Sequence, residues 1–336
     1  MKEPIYDILI QNTRILTPDM TIRSGVDVAI KDGMISSICS SGSLSCPEAE
    51  QTVDGSRLLW MPGLTDGHMH TCQQLLRGKI LDALPMIWTR IMLPFESTLT
   101  PEAVSLSAAL CSLEMIRGGT TSFLDAGGIH MDEAAKVYIK SGLRGALTLS
   151  TMDDTKVPDS MRADAAESIS RLNEYYNTWN GSGDGRLSVY YSLRSLISCS
   201  EKLIRGVFEA ASERSAMVEA HMNEYPNEIN YHLERYQMRP MEYLDSLGVL
   251  SDHFVSAHSI LLSEHEIELM AANGVKAVHC PFSNCGKGVP NTPRLLESGI
   301  SVAFGTDGTA HGGMSLFQEM KIFRSVMNIF HGVPNH

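Results

Sequence analysis

Residues 216–224 read Ala216-Met217-Val218-Glu219-Ala220-His221-Met222-Asn223-Glu224, a short run that ends in a histidine and then a carboxylate. It is too short for a stable helix and reads as a buried strand with its reactive groups at the C-terminal end. The same form recurs on both sides. Strand patterns lie at 59–64, 120–125, 145–150 and 187–193 upstream, and at 254–257, 275–278 and 301–304 downstream of the 217–221 strand. Longer helical patterns separate them. One spans 101–117, with Thr100 in the cap position and Pro101 at the first helical place; others span 164–176 and 240–247, and one starts near Ser315. Eight strand-then-helix units predict an α/β fold, a closed (β/α)8 TIM-like barrel over residues 59–336. Residues 1–58 differ: they alternate apolar and polar positions in short β-rich runs, with Asp32-Gly33 placed as a two-residue hairpin turn. They predict a small N-terminal β module.

Bulk composition narrows the function. With 43% hydrophobic and 20% charged residues the chain has enough apolar material for a large core. A formal charge of -12 argues against a nucleic-acid partner, which requires clustered Lys and Arg. No apolar stretch reaches the ~18 residues of a membrane span and no secretory signal opens the chain, so the expectation is a cytoplasmic protein with a small-molecule substrate and no membrane partner. The seven cysteines are scattered without a C-x-x-C pair and read as reduced thiols.

In a barrel, the active site lies at the C-terminal ends of the strands. His68 and His70 follow the first strand pattern in Asp66-Gly67-His68-Met69-His70, and an i, i+2 pair at a strand end points both rings to one side. Two converging imidazoles suit a borderline metal such as zinc. His221 and Glu224 after it read either as a core histidine before a helix-start carboxylate or as a third ligand followed by an acid and base. His258 ends the 254–257 strand pattern; Asp307 follows 301–304 and supplies a carboxylate ligand that also accepts a proton from water. Other signals fail. His265-Glu266 lacks the second His of H-E-x-x-H, since Leu269 stands there, and neither G-x-G-x-x-G nor a P-loop occurs. The H-x-E and P-C-x-x-C signature of cytidine-type deaminases is also missing. His130, His232, His253, His331 and His336 read as surface or helix residues, and His279 as structural.

The ordered set Pro62-Gly63-Leu64-Thr65-Asp66-Gly67-His68-Met69-His70, His221-x-x-Glu224, Ala257-His258, His279-Cys280-Pro281-Phe282-Ser283-Asn284 and Gly305-Thr306-Asp307-Gly308 resembles the amidohydrolase superfamily. More narrowly, it resembles the branch of adenosylhomocysteine/methylthioadenosine deaminases, guanine deaminases and triazine chlorohydrolases. The resemblance implies one divalent ion, zinc or else iron, held by His68, His70, His221 and Asp307. It makes Glu224 the proton shuttle, with His258 orienting the water or polarising the ring. It also implies that the N-terminal β module is part of a β-sandwich completed by a C-terminal segment, so the chain is expected to be C-terminally truncated, and that the protein forms a homo-oligomer.

For substrate, Gln73 and Arg194 resemble the positions at which guanine deaminases grip the purine edge. Gln offers donor and acceptor, and Arg a fork of donors. Trp88 in the first loop is a further contact. Nucleoside-type relatives carry an acidic residue beside that Trp, where this chain has Ile87, and a His where it has Arg194. The expectation is therefore hydrolytic deamination of a guanine, oxopurine or pterin-like ring. The alternatives are adenosylhomocysteine/methylthioadenosine deamination, triazine-type chlorohydrolysis, and an inactive truncated scaffold.

Overall fold

A computed structural model describes residues 5–44, 48–80, 87–310 and 312–332 and divides the chain into two units, Met1–Gly63 and Leu64–His336. His336 lies outside the described residues. The first unit holds β1 (Tyr6–Leu16), β2 (Ile22–Lys31), β3 (Met34–Ser40), β4 (Ala49–Asp54) and β5 (Leu59–Trp60). They form one sheet in the order β3-β2-β1-β4, with β5 also on β1. The β2–β3 hairpin turns at Asp32-Gly33, whose φ values of 51° and 70° are the left-handed pair that a tight two-residue turn demands. Ile10, Ile15, Val26 and Val28 form its buried cluster, with Ile8, Val53 and Trp60 packed against them. Among the described residues this unit is one five-stranded sheet.

The boundary falls later than the sequence pattern suggests. Leu59 and Trp60 pair with Arg14 and Ile15 of β1, and the first strand of the second unit, β6 (Leu64–Met69), begins only after Pro62-Gly63. The apolar run 59–64 looks continuous, but proline cannot donate to a ladder, so the chain changes partner there.

The second unit continues with β7 (Thr120–Asp125), β8 (Arg144–Leu147), β9 (Leu187–Val189), β10 (Tyr191–Ser195), β11 (Val218–Met222), β12 (Phe254–His258), β13 (Lys276–His279) and β14 (Val302–Phe304). Two parallel ladders run β6-β7-β8-β9 and β10-β11-β12-β13-β14. Tyr190 joins them: its N–H donates to Leu147 O while that of Tyr191 donates to Met217 O, so β9 and β10 are halves of one strand facing different neighbours. A parallel bridge between Met69 and Asp307, with Asp307 N–H donating to His68 O at 2.9 Å, brings the chain after β14 back onto β6. Among the described residues the result is an eight-stranded closed barrel with helices between its strands. Every residue of β11 and β12 is buried, as parallel strands covered on both faces require.

Helix ends follow local chemistry. Thr100, Asp164, Ser200, Ser263 and Ser315 each accept a backbone N–H at a helix start, and Gly119, Gly142 and Gly274 close helices with positive φ. Leu203, Val207 and Phe208 pack with Met241, Leu244, Phe254 and Met270 in the largest core cluster. Among the described residues no single helix is long and apolar enough to cross a membrane.

Candidate metal centre and active-site pocket

The β6 motif is built around two absences of side chain. A Cβ on Gly67 would stand 3.1 Å from Val278 Cγ1 and 3.2 Å from Ala303 Cβ, and one on Gly305 would stand 2.6 Å from His68 O. Glycine at both positions lets β6 and the chain after β14 touch. Asp66 locks the junction, accepting from Thr306 N–H at 3.0 Å and from its hydroxyl at 2.6 Å; burial pushes the Asp66 carboxyl up to about 6 against those bonds. His68, His70 and Asp307 are thereby held against one another.

His68 Nε2 lies 3.6 Å from Asp307 Oδ1, His70 Nε2 lies 3.3 Å from the same oxygen, and His70 and His221 face each other through their Nε2 atoms at 3.0 Å. His258 Nε2 is 4.0 Å from Asp307 Oδ2. Side-chain donors of His68, His221, His258 and Asp307 all lie within 4.8 Å of one another. The structure therefore brings together all four expected ligands and adds His258 to them. Backbone strain concentrates here, with Asn223, His258 and Asp307 at φ of 51°, 70° and 56°, a region costly for residues other than glycine.

Burial and neighbouring charges set His68, His221 and His258 apart. Asp307 and Glu219 outweigh burial at His68 and hold it up at about 10; burial and the neighbouring rings hold His221 well below the ordinary range, and His258 falls to about 4. The buried Nε2 atoms of His68 and His258 have no hydrogen-bond partner among the described residues. A converging, nitrogen-rich set with one carboxylate fits one divalent ion of the zinc or iron class. Outer partners support the set: His68 Nδ1 is 2.8 Å from Glu219 Oε1, and His258 Nδ1 is 3.1 Å from Asn284 Oδ1. His279 stands behind, its Nδ1 2.9 Å from His258 O.

Glu224 sits at the mouth of this cluster, 3.5 Å from His258 Nε2. Its position comes from a second buried carboxylate, Glu228, which accepts from the N–H groups of Asn223 at 3.0 Å and Glu224 at 2.9 Å. Burial alone would raise the Glu224 carboxyl, but His258 and Lys287 outweigh it and hold it below the usual range. Lys287 is a site residue that the sequence reading missed: its Nζ lies 2.5 Å from Glu224, 2.7 Å from Ser283 Oγ and 3.7 Å from Asp307 Oδ2. Glu219 was missed as well, although a carboxylate inside a wholly buried strand is itself a signal.

These groups line one side of a pocket of about 380 Å³, with Ile87, Trp88, Met92 and Tyr225 among its other walls. Gln73 and Arg194 line it too, so all three expected substrate contacts reach the pocket. Arg194 does not face it freely. Its Nη1 and Nη2 donate to Glu96 Oε2 and Oε1 at 3.0 and 3.1 Å, and Gln73 Nε2 donates to Glu96 Oε1 at 2.8 Å.

The amidohydrolase family model matches residues 59–335. The chain belongs to the amidohydrolase family. A 5'-deoxyadenosine deaminase of Methanothermobacter thermautotrophicus is 36% identical to this amidohydrolase over 312 residues, 89% of this chain and 69% of that one. A 5-methylthioadenosine/S-adenosylhomocysteine deaminase of Pelotomaculum thermopropionicum is 32% identical, covering 98% of this chain and 76% of its own length. Among solved structures, an adenosine deaminase from Xanthomonas campestris with bound zinc superposes with a TM-score of 0.86 at 27% identity, covering 96% of this chain and 75% of that one.

Proposed function

We propose that this amidohydrolase is a metal-dependent deaminase of adenosine-type nucleosides, exchanging the 6-amino group of the purine for oxygen and releasing ammonia. The carrying observation is that the buried carboxylate Glu224 stands beside the His/Asp cluster at one end of a pocket, in a chain 36% identical to a 5'-deoxyadenosine deaminase. The guanine-like expectation gives way on two grounds. It rested in part on Arg194 forking onto a ring oxygen, and that fork is closed on Glu96; and both curated relatives above act, by their names, on adenosine-type substrates.

His68, His70, His221 and Asp307 would hold one divalent ion, which would supply Lewis acidity and lower the pKa of water toward about 7. The chain's own groups supply the rest. Asp307 and His258 orient the attacking water beneath C6. Glu224, kept as a carboxylate by His258 and Lys287, takes a proton from that water and delivers it to the ring nitrogen N1. It then carries the remaining proton of the added hydroxyl to the exocyclic nitrogen; the C6–N bond breaks, C6 becomes a carbonyl and ammonia leaves. Trp88, Met92 and Ile87 cover the ring and keep bulk water away.

The test is ammonia release by the zinc-loaded protein from 5'-deoxyadenosine, methylthioadenosine, S-adenosylhomocysteine, adenosine and guanine. Turnover of the adenosine-type compounds supports the reading; turnover of guanine alone overturns it.

A further inference from the structure

Glu266 belongs to no H-E-x-x-H motif, since Leu269 stands where the second histidine is needed, yet its side chain is fully buried, where a carboxylate is found only when paired. One of its bonds is local: Oε2 accepts from Ser263 N–H at 2.9 Å in the capping box that starts the helix Glu264–Asn273. The other three leave that helix. Oε2 also accepts from Arg239 Nε at 2.7 Å, and Oε1 accepts from Met241 N–H at 3.1 Å and Asn223 Nδ2 at 2.9 Å. The guanidinium of Arg239 reaches on to Leu261 O through Nη2. Asn223 and Leu261 lie in the turns that follow β11 and β12, so the Arg239–Glu266 pair grips both turns at once. Those turns carry Glu224 and His258, and both are strained: Asn223, His258 and Ser259 have φ of 51°, 70° and 49°. Conformations of this kind persist only where the surroundings over-determine them. Here the two turns are stitched together, with Ser259 N–H donating to Met222 O at 3.1 Å and the N–H groups of Ile260 and Leu261 to Asn223 O at 3.2 and 2.9 Å. Neither Arg239 nor Glu266 lines the pocket.

We propose that Arg239 and Glu266 are positioning residues for Glu224. By clamping Asn223 to Leu261 they hold the turn that carries Glu224 at a fixed offset from the turn after His258, and so set the 3.5 Å separation between Glu224 and His258 Nε2. A carboxylate that moves protons between water and ring acts only within hydrogen-bond reach, and a misplacement of about 1 Å caused by a distant substitution costs about a hundredfold in rate. The inference rests on the deaminase reading for the role of Glu224; the clamp itself does not depend on it.

The test is Arg239→Lys in the zinc-loaded protein. It keeps a cation beside Glu266 but gives up the planar fork that also reaches Leu261 O. With 5'-deoxyadenosine, kcat should fall by about ten- to a hundred-fold while KM stays within about twofold and zinc stays bound. In Glu224→Gln protein the same substitution should cause no further fall, because the group it positions is already gone. Hydrogen exchange read by mass spectrometry should quicken by at least about tenfold in segments 222–225 and 259–262 together, and not in the strand Thr120–Asp125. A merely structural role would lower the melting temperature and leave kcat unchanged in the zinc-bound protein, which overturns the proposal; so does an equal fall in both backgrounds. Glu266→Gln, which puts an amide where the clamp needs only acceptors, should show the same pattern; if it fails to fold, Arg239→Lys decides alone. Absence of ammonia from every aminopurine nucleoside with unsubstituted protein would sink the deaminase reading instead, and the exchange of the two turns still decides the clamp: unquickened exchange in Arg239→Lys overturns it.

Discussion

Replacing Glu224 by glutamine keeps its volume and its backbone bond to Glu228 but removes the group placed to carry protons between water and ring. Positioned proton transfer contributes about 10²–10⁴-fold, or roughly 3–5 kcal/mol of barrier. Glu224 is 3.5 Å from His258 Nε2 and outside the group of donors that lie within 4.8 Å of one another, so metal content stays at one ion per chain. A second effect follows from Lys287, whose ammonium loses its 2.5 Å partner and keeps Ser283 and, at 3.7 Å, Asp307. Stability therefore falls, by less than the ~3–5 kcal/mol of a fully orphaned buried charge. The assay is initial-rate ammonia release from 5'-deoxyadenosine, with metal content and thermal melting measured on the same preparation. A kcat within about threefold of the unsubstituted protein, with metal bound, would refute the shuttle role.

Three further outcomes are expected. Lys287→Met removes the ammonium beside the Glu224 carboxyl, so its pKa rises and the acidic limb of the kcat/KM profile moves to higher pH; an unmoved limb contradicts the pairing. His279 is buried with its pKa lowered from 6.5 to about 4, so the unfolded chain binds its proton below 6.5 while the folded one does not until about 4. Stability worth about 3 kcal/mol is thus lost as pH falls through that window, and His279→Asn should flatten the loss in denaturant titrations of the metal-free protein. Glu219→Gln keeps the packing but removes the anion beside His68 Nδ1, and should weaken zinc affinity by about 10–100-fold in a chelator competition; unchanged affinity would contradict that role.

Much of the barrel is legible in the chain because parallel buried strands are short apolar runs bounded by helix signals, and those at 120–125, 217–221 and 254–257 lie within a residue or so of the observed elements. The first strand misled because Leu59-Trp60 and Leu64 look continuous, whereas Pro62-Gly63 separates a pairing to β1 from one to β7. The metal ligands stand out because each is a polar residue ending an apolar run. The groups that tune them do not. Glu96 pairs with Arg194 across 98 positions, and no local pattern joins the two, so Arg194 read as an open fork when the fold closes it. Lys287 reaches Glu224 and Asp307 only after the turn following β13 folds inward. Pairings this distant in sequence become visible only in the folded chain.

The most direct test of the central claim is incubation of the zinc-loaded protein with 5'-deoxyadenosine in heavy-oxygen water, following ammonia and the mass of the purine product together. Ammonia equal in amount to a 6-oxo product that carries the heavy oxygen is the predicted result. A zinc-bound, folded protein that leaves the nucleoside unchanged, or releases its base without ammonia, would contradict it.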